Sequence, residues 1–400
     1  MRKDKNTAGR DKNTTINPFV RGAVTILGNE KHQSISIPLF AILLSLLAGA
    51  IVILFLGKNP IDSFISLLQG SGILPKAQYA AKKNMLTDFL SMINSLTPMI
   101  FAALAVAVAL KTGLFNIGIS GQMLVAGFAA TVTVGYSNLP MAAALPLVLV
   151  VGIVFGGAVG ALIGWLKHRF NINEVVSSIM LNYIFQYIIS FFINSYYMNP
   201  VTRQSRQVSA AARLTLTDVE LYGLKMDIPL GFILTIPVAF LVLFLLNKTR
   251  LGYELKIVGL NRKAAKYAGI KVGKSMVISM AISGALAGLA GVTLYLGTFA
   301  SIQPRVLTSV GFDSIAVCLL GNAHPIGILF SSLLITIISK GGNYMSSMVG
   351  IPQEIAQVIT GLILLFSACG AYIRYRVELA KENIGNGKLR IENNGEGGQK

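Results

Sequence analysis

Six polar side chains recur at every fourth position of one apolar stretch: Glu174, Ser178, Asn182, Gln186, Ser190 and Asn194. Residues four apart share a helix face, and a stripe of this period drifts slowly around it. Amides and hydroxyls so arranged can hold other groups by hydrogen bonds. Facing lipid they would be costly, so the stripe should turn to a bundle interior or a cavity. Two readings stay open: ties between helices, or the lining of a path for a polar solute.

Covalent chemistry has little to work with. His32, His168 and His324 lie far apart and share no metal-ligand spacing. Cys318 and Cys369 sit inside apolar runs and read as small buried hydrophobes, not a disulfide framework. The run Ala268-Gly269-Ile270-Lys271-Val272-Gly273-Lys274-Ser275 fits a relaxed phosphate-loop pattern. A working loop needs a buried strand before it, whereas a charged, Ala-rich helical segment precedes this one. ATP binding by this chain is therefore not expected. An intramembrane enzyme would need a nucleophile–base or metal pair within the spans, and none is found. A secondary transporter driven by ions or protons would favour paired intramembrane acids and bases, which are scarce.

The elements that carry these residues must lie in lipid. Of 400 residues, 54% are hydrophobic and 12% charged, about half the charged share of a soluble domain. The net charge of +18 collects in the N-terminal tail, the 248–274 segment and the C-terminal tail. That is the pattern of cytoplasmic loops under the positive-inside rule rather than of a nucleic-acid surface. The first apolar run, Ile37 to Gly57, is about 30 Å long as a helix and reads as an uncleaved membrane anchor.

Further runs cover roughly 85–110, 114–136, 140–166, 175–197, 228–247, 275–299 and 353–372. Polar stretches at 58–84 and 198–227 fall outside on this alternation. With both tails inside, the stretch 312–340 must cross twice, breaking at Gly321-Asn322-Ala323-His324-Pro325. The half before the break is too short to span as an ordinary helix, and such backbone is tolerated only where protein or a watery cavity supports it. The expected fold is all-α: a polytopic transmembrane helical bundle of about ten membrane segments, with a broken helix near 312–340. Residues 1–36 and 374–400 form cytoplasmic tails around a membrane domain at 37–373. A stripe of Ile16, Phe19, Val20, Ala23, Ile26 and Leu27 suggests a short surface helix in the first tail.

Gly152, Gly156, Gly160 and Gly164 recur every fourth residue, and Ala281, Gly284, Gly288 and Gly291 line one face. Small residues at this spacing let helix backbones approach closely. In the segment Lys111 to Gln122, three glycines and three polar side chains interrupt two apolar runs, as a cytoplasmic turn or a re-entrant segment would. In the loop helix Gly259 to Gly269, Ala264, Ala265 and Ala268 form a shallow face on which another protein could dock.

GLFNIGISGQM at 113–123, NEVVSSIMLNYI at 173–184, VGLNRKAAKYAGI at 258–270 and GFDSIAVCLLGNAHPIG at 311–327 occur in this order. Together they resemble the permease subunits of ABC importers for nucleosides and simple sugars, related to the branched-chain amino-acid permeases. The resemblance runs from about residue 38 to 373, and its first two motifs favour the nucleoside branch. Ser120 stands where many relatives carry an acid, so no charged role carries over there.

The resemblance implies a bacterial plasma-membrane subunit that pairs with a second permease, a cytoplasmic ABC ATPase and an extracellular substrate-binding lipoprotein. It implies alternating access, with no cofactor in this chain and Mg-ATP on the partner subunits. It places Gly259, Asn261, Ala264, Ala265, Tyr267, Ala268 and Gly269 in the segment that couples to the ATPase. A neutral polar nucleoside suits a path with Asn116, Gln122, Ser178, Asn182, Tyr183, Gln186 and Asp313 along it. Glu174 and Asp313 fit a conformational role as well. The same machinery could instead carry a simple sugar or another small polar solute.

Overall fold

The computed structural model describes residues 33–79, 82–221, 223–370, 372–373 and 375–381. The surface helix expected in the first tail lies outside them. Two compact units divide the chain, one of residues 42–368 and one of the segments before and after it.

Among the described residues, seven helices are long and apolar enough to cross a membrane. They are α1 (Gln33–Phe55), α3 (Met85–Lys111), α5 (Met141–Phe170), α6 (Glu174–Phe192), α7 (Leu230–Lys248), α10 (Val272–Val292) and α12 (Pro325–Val349). Three shorter apolar helices fill the remaining runs: α4 (Ile119–Ala130), α11 (Val310–Leu320) and α13 (Glu354–Ala368). Further short helices among the described residues include α2 (Pro60–Gly70), α8 (Arg250–Leu260) and α9 (Arg262–Tyr267).

The break expected near 321–325 is present. The α11 helix ends at Gly321, Asn322 and Ala323 take positive φ, and Pro325 opens α12. The turn is tight because Gly321 and Gly327 face each other: a Cβ on Gly327 would overlap the Gly321 carbonyl oxygen.

The two glycine stripes meet. The α5 and α10 helices make the most extensive contact in the bundle. Gly152, Gly156 and Gly160 lie against the backbone of Gly284 and Gly288 and the Met280 carbonyl, closer than any Cβ would permit. Gly291 serves a different neighbour, the Met123 backbone of α4. Gly157 stands just off the seam, where a Cβ would rest at 3.4 Å from the Ala281 carbonyl oxygen. Gly160→Ala should therefore cost about 1–3 kcal/mol of stability by overpacking, whereas Gly157→Ala should be near neutral. Thermal unfolding of the two purified variants checks this, and equal melting temperatures would refute the seam.

The polar stretches 58–84 and 198–227 hold more regular structure than loops need. Residues 60–70 form the short helix α2, capped by Asn59 with Pro60 at its first turn. Two strands, β1 (Thr215–Leu221) and β2 (Leu224–Pro229), pair antiparallel within the stretch expected to be plain loop. This hairpin is strapped down by backbone bonds from Leu214 to Leu296 and from Gly231 to Leu214, and by Thr215 Oγ1 to Asn94 Oδ1 at 2.9 Å. Three apolar helices finish toward this region in π turns, at Thr131–Gly135, Ile193–Tyr197 and Thr293–Thr298.

Candidate functional site

Between α3 and α4 the chain leaves the helix at Thr112, turns at Gly113 with φ of +66°, and resumes helix only at Ile119. Non-helical backbone inside a bundle must find polar partners. Asn116 supplies one and is itself tied to its neighbours. Its Oδ1 accepts the Gly118 amide at 2.9 Å, and its Nδ2 donates to Ser283 Oγ at 2.8 Å and Gln122 Oε1 at 3.1 Å. Ser283 in turn donates to the Ala105 carbonyl at 2.7 Å. Asn116 and Gln122 are both buried. The turn before them is also held, through Thr112 and Ser279 hydroxyls 2.7 Å apart.

The ladder on α6 closes the same region from the other side. Asn182 is buried, its Oδ1 accepts the Gly121 amide at 2.9 Å, and its Nδ2 donates to the Ile117 carbonyl at 3.0 Å. Gly121 has no side chain because the Asn182 amide occupies that space. One and two turns further on, Gln186 donates to the Arg305 carbonyl at 2.6 Å and Ser190 accepts the Arg305 amide at 2.7 Å. Arg305 has φ of +61° in the irregular stretch that precedes α11. Ser120 completes the hold by donating to the Thr308 carbonyl at 3.0 Å. The polar face of α6 and its neighbours thus satisfy two interrupted backbones, 112–118 and 300–309.

Of the residues expected along a path, Asn116, Gln122, Ser178 and Asn182 are buried inside the chain and bonded within it. Asn116 bridges to Ser283 of α10 and Asn182 to the 117–121 segment, while Ser178 and Gln122 bond within their own stretch of chain. Ser178 bonds back to the Glu174 carbonyl, and Glu174 pairs with Lys167 at 2.9 Å across the α5–α6 turn. Gln186 and Asp313 are partly buried, with Asp313 bonded to Ser309 at the start of α11. Tyr183 stands apart from these and is 53% exposed. Asn194, at the end of the ladder, is exposed as well.

The loop helix α9 is capped by Asn261, whose Oδ1 accepts the Lys263 and Ala264 amides. It ends at Ala268 with Gly269 at φ of +78°. Gly259 fits against the Lys111 and Gly113 backbone, and Arg262 Nη2 donates to the Gly113 carbonyl at 3.2 Å. Arg262 was not singled out by spacing, since its partner is 149 positions away. Ala264, Tyr267 and Ala268 are exposed, Tyr267 almost wholly so. Ala265 is the exception: it is buried in a cluster with Ala109, Leu114, Ile163, Val258, Met276 and Met280. Of the three alanines expected on a docking face, Ala264 and Ala268 are exposed, whereas Ala265 packs α9 on the bundle. It is α9, not a strand, that leads into the phosphate-loop-like run, and Gly273 of that run packs on the His168 ring.

A bundle of long apolar helices, interrupted where buried amides support the backbone, defines a polytopic membrane protein. Residues 89–368 match the family described as branched-chain amino acid transport system / permease component, and the chain belongs to it. It is 35% identical over 365 residues to the nucleoside ABC transporter permease protein NupB of Lactococcus lactis, covering 88% of this chain and 96% of that one. It is also 35% identical over 352 residues to the guanosine ABC transporter permease protein NupP of Bacillus subtilis, covering 88% and 97%. The glucose ABC transporter permease protein TsgB13 of Haloferax volcanii is 27% identical over 357 residues, covering 87% and 91%.

Proposed function

We propose that this chain forms the translocation path of an ATP-driven nucleoside importer. The observation that carries the reading is 35% identity across nearly the whole length of two permeases named for nucleosides and guanosine. The pore is completed by a second permease subunit. Hydrolysis of Mg-ATP takes place on a separate cytoplasmic ATPase, and an extracellular lipoprotein delivers substrate. This chain itself carries no cofactor. Its tails, 1–36 and 374–400, and the basic 248–274 loop lie in the cytoplasm, in keeping with their charge. Gly259, Asn261, Ala264, Tyr267, Ala268 and Gly269 present α9 to the ATPase. Their motion reaches the interior through the contact of Gly259 and Arg262 with the Gly113 turn.

The bundle then works by alternating access. The two interrupted backbones are the places where it can flex without breaking a continuous helical ladder, and the amides of Asn116 and Asn182 set their resting geometry. The weaker likeness to a glucose permease supports a second reading, a simple sugar as cargo. Uptake of labelled guanosine, uridine, ribose and glucose by cells with and without this gene decides between them. Gene-dependent nucleoside uptake is the expected result, and uptake of a sugar alone would replace the first reading by the second.

A further inference from the structure

We infer that Tyr183 and Tyr187 of α6 form an aromatic strip lining the solute path, on which the flat base of a nucleoside stacks. The inference rests on the nucleoside reading above and adds the residues that would recognise the cargo. Asn182, Gln186 and Ser190 fix the rotation of α6 by bonding inward to Ile117, Gly121 and Arg305. With that face turned in, the adjacent positions turn out. Tyr183 is 53% and Tyr187 is 63% exposed, and they lie one helical turn apart.

Their depth is what gives them meaning. Tyr183 follows the start of its span by nine residues and Tyr187 precedes its end at Tyr197 by ten, or about 13–15 Å from either end of the helix. Tyrosine favours the membrane–water interface, because a phenolic hydroxyl in hydrocarbon has no partner. The outward faces of α1, α5 and α7 obey this rule. At mid-span they present Leu43, Leu47, Ile153, Phe155 and Phe240, with no hydroxyl. Among the described residues, exposed tyrosines in the middle of a long apolar helix occur on α6 alone. A surface that needs hydrogen-bond partners and offers two flat rings suits a wet path and a planar heterocycle better than lipid.

The test uses the assembled transporter in a background of Cys318→Ala and Cys369→Ala, the two free cysteines. Tyr183→Cys and Tyr187→Cys should react with a small water-soluble thiol reagent and be protected by guanosine, while Phe240→Cys on α7 should not react. Tyr187→Phe, which keeps the ring, should retain more guanosine uptake per molecule of transporter than Tyr187→Ala does. Tyr187→Ala should lower it about tenfold, in the range of losing one base–aromatic stack, with unchanged membrane abundance. Unreactive cysteines at 183 and 187 would overturn the inference, as would guanosine uptake by Tyr187→Ala equal to the parent. Failure of the nucleoside reading shows separately, as a parent transporter that takes up no nucleoside. Protection of the cysteines by ribose in that case would keep the strip as lining but overturn base stacking.

Discussion

Asn182→Leu will leave substrate preference untouched and deplete the protein from the membrane. Leucine keeps asparagine's branched outline with bulkier methyl ends, so the change chiefly removes polarity. What goes is the pair of bonds from one buried amide to the Ile117 carbonyl and the Gly121 amide. Each buried group left unpaired costs about 1–3 kcal/mol. Interhelical hydrogen bonds measured in membranes are worth less, about 0.6–1.7 kcal/mol, so a total near 2 kcal/mol is expected. A loss of that size changes abundance several-fold in a marginally stable protein. Uptake of guanosine, uridine and ribose, each normalised to membrane protein, should keep its ranking. Normal abundance with a changed ranking would return Asn182 to the solute path and remove it from the role of a tie.

Ala265→Trp should prevent accumulation of folded protein instead of producing an uncoupled transporter. Ala265 is fully buried between α9 and the bundle, against Val258, Met276 and Met280 among others. Inserting even a few methylenes into such a site costs about 1–3 kcal/mol, and an indole adds far more volume. The uncoupling variants are those of the exposed face. Tyr267 is 93% and Leu260 82% exposed, so Tyr267→Ala and Leu260→Ala should fold normally. In a reconstituted complex they should hydrolyse ATP while moving less solute per ATP. Abundant, stable Ala265→Trp protein would show that α9 can leave the bundle. Full coupling in both exposed variants would remove this face from the ATPase contact.

The amino-acid sequence by itself determined the class of protein, because the properties involved are local or additive. Apolar runs long enough to span, basic loops and glycines every fourth residue each state their meaning within a window of a few turns. The break at Gly321 to Pro325 was legible for the same reason: a proline and a short apolar half cannot continue one helix. The family motifs were legible because they stand in fixed order along the chain.

Which way each face turns was decided only by the tertiary structure. The period that aligned Ser178, Asn182 and Gln186 says that they share a stripe, and nothing in it names Ile117, Gly121 or Arg305 as the atoms opposite. Ala264, Ala265 and Ala268 looked alike as small residues on a short basic helix. One of the three is buried because α3 and α5, up to 156 residues earlier in the chain, and α10, just after it, close over it. The hairpin at 215–229 was missed because its anchors, Asn94 and Leu296, lie far away on other helical segments. A hydrogen bond or a covered methyl is a relation between two surfaces, and the sequence spells out only one surface at a time.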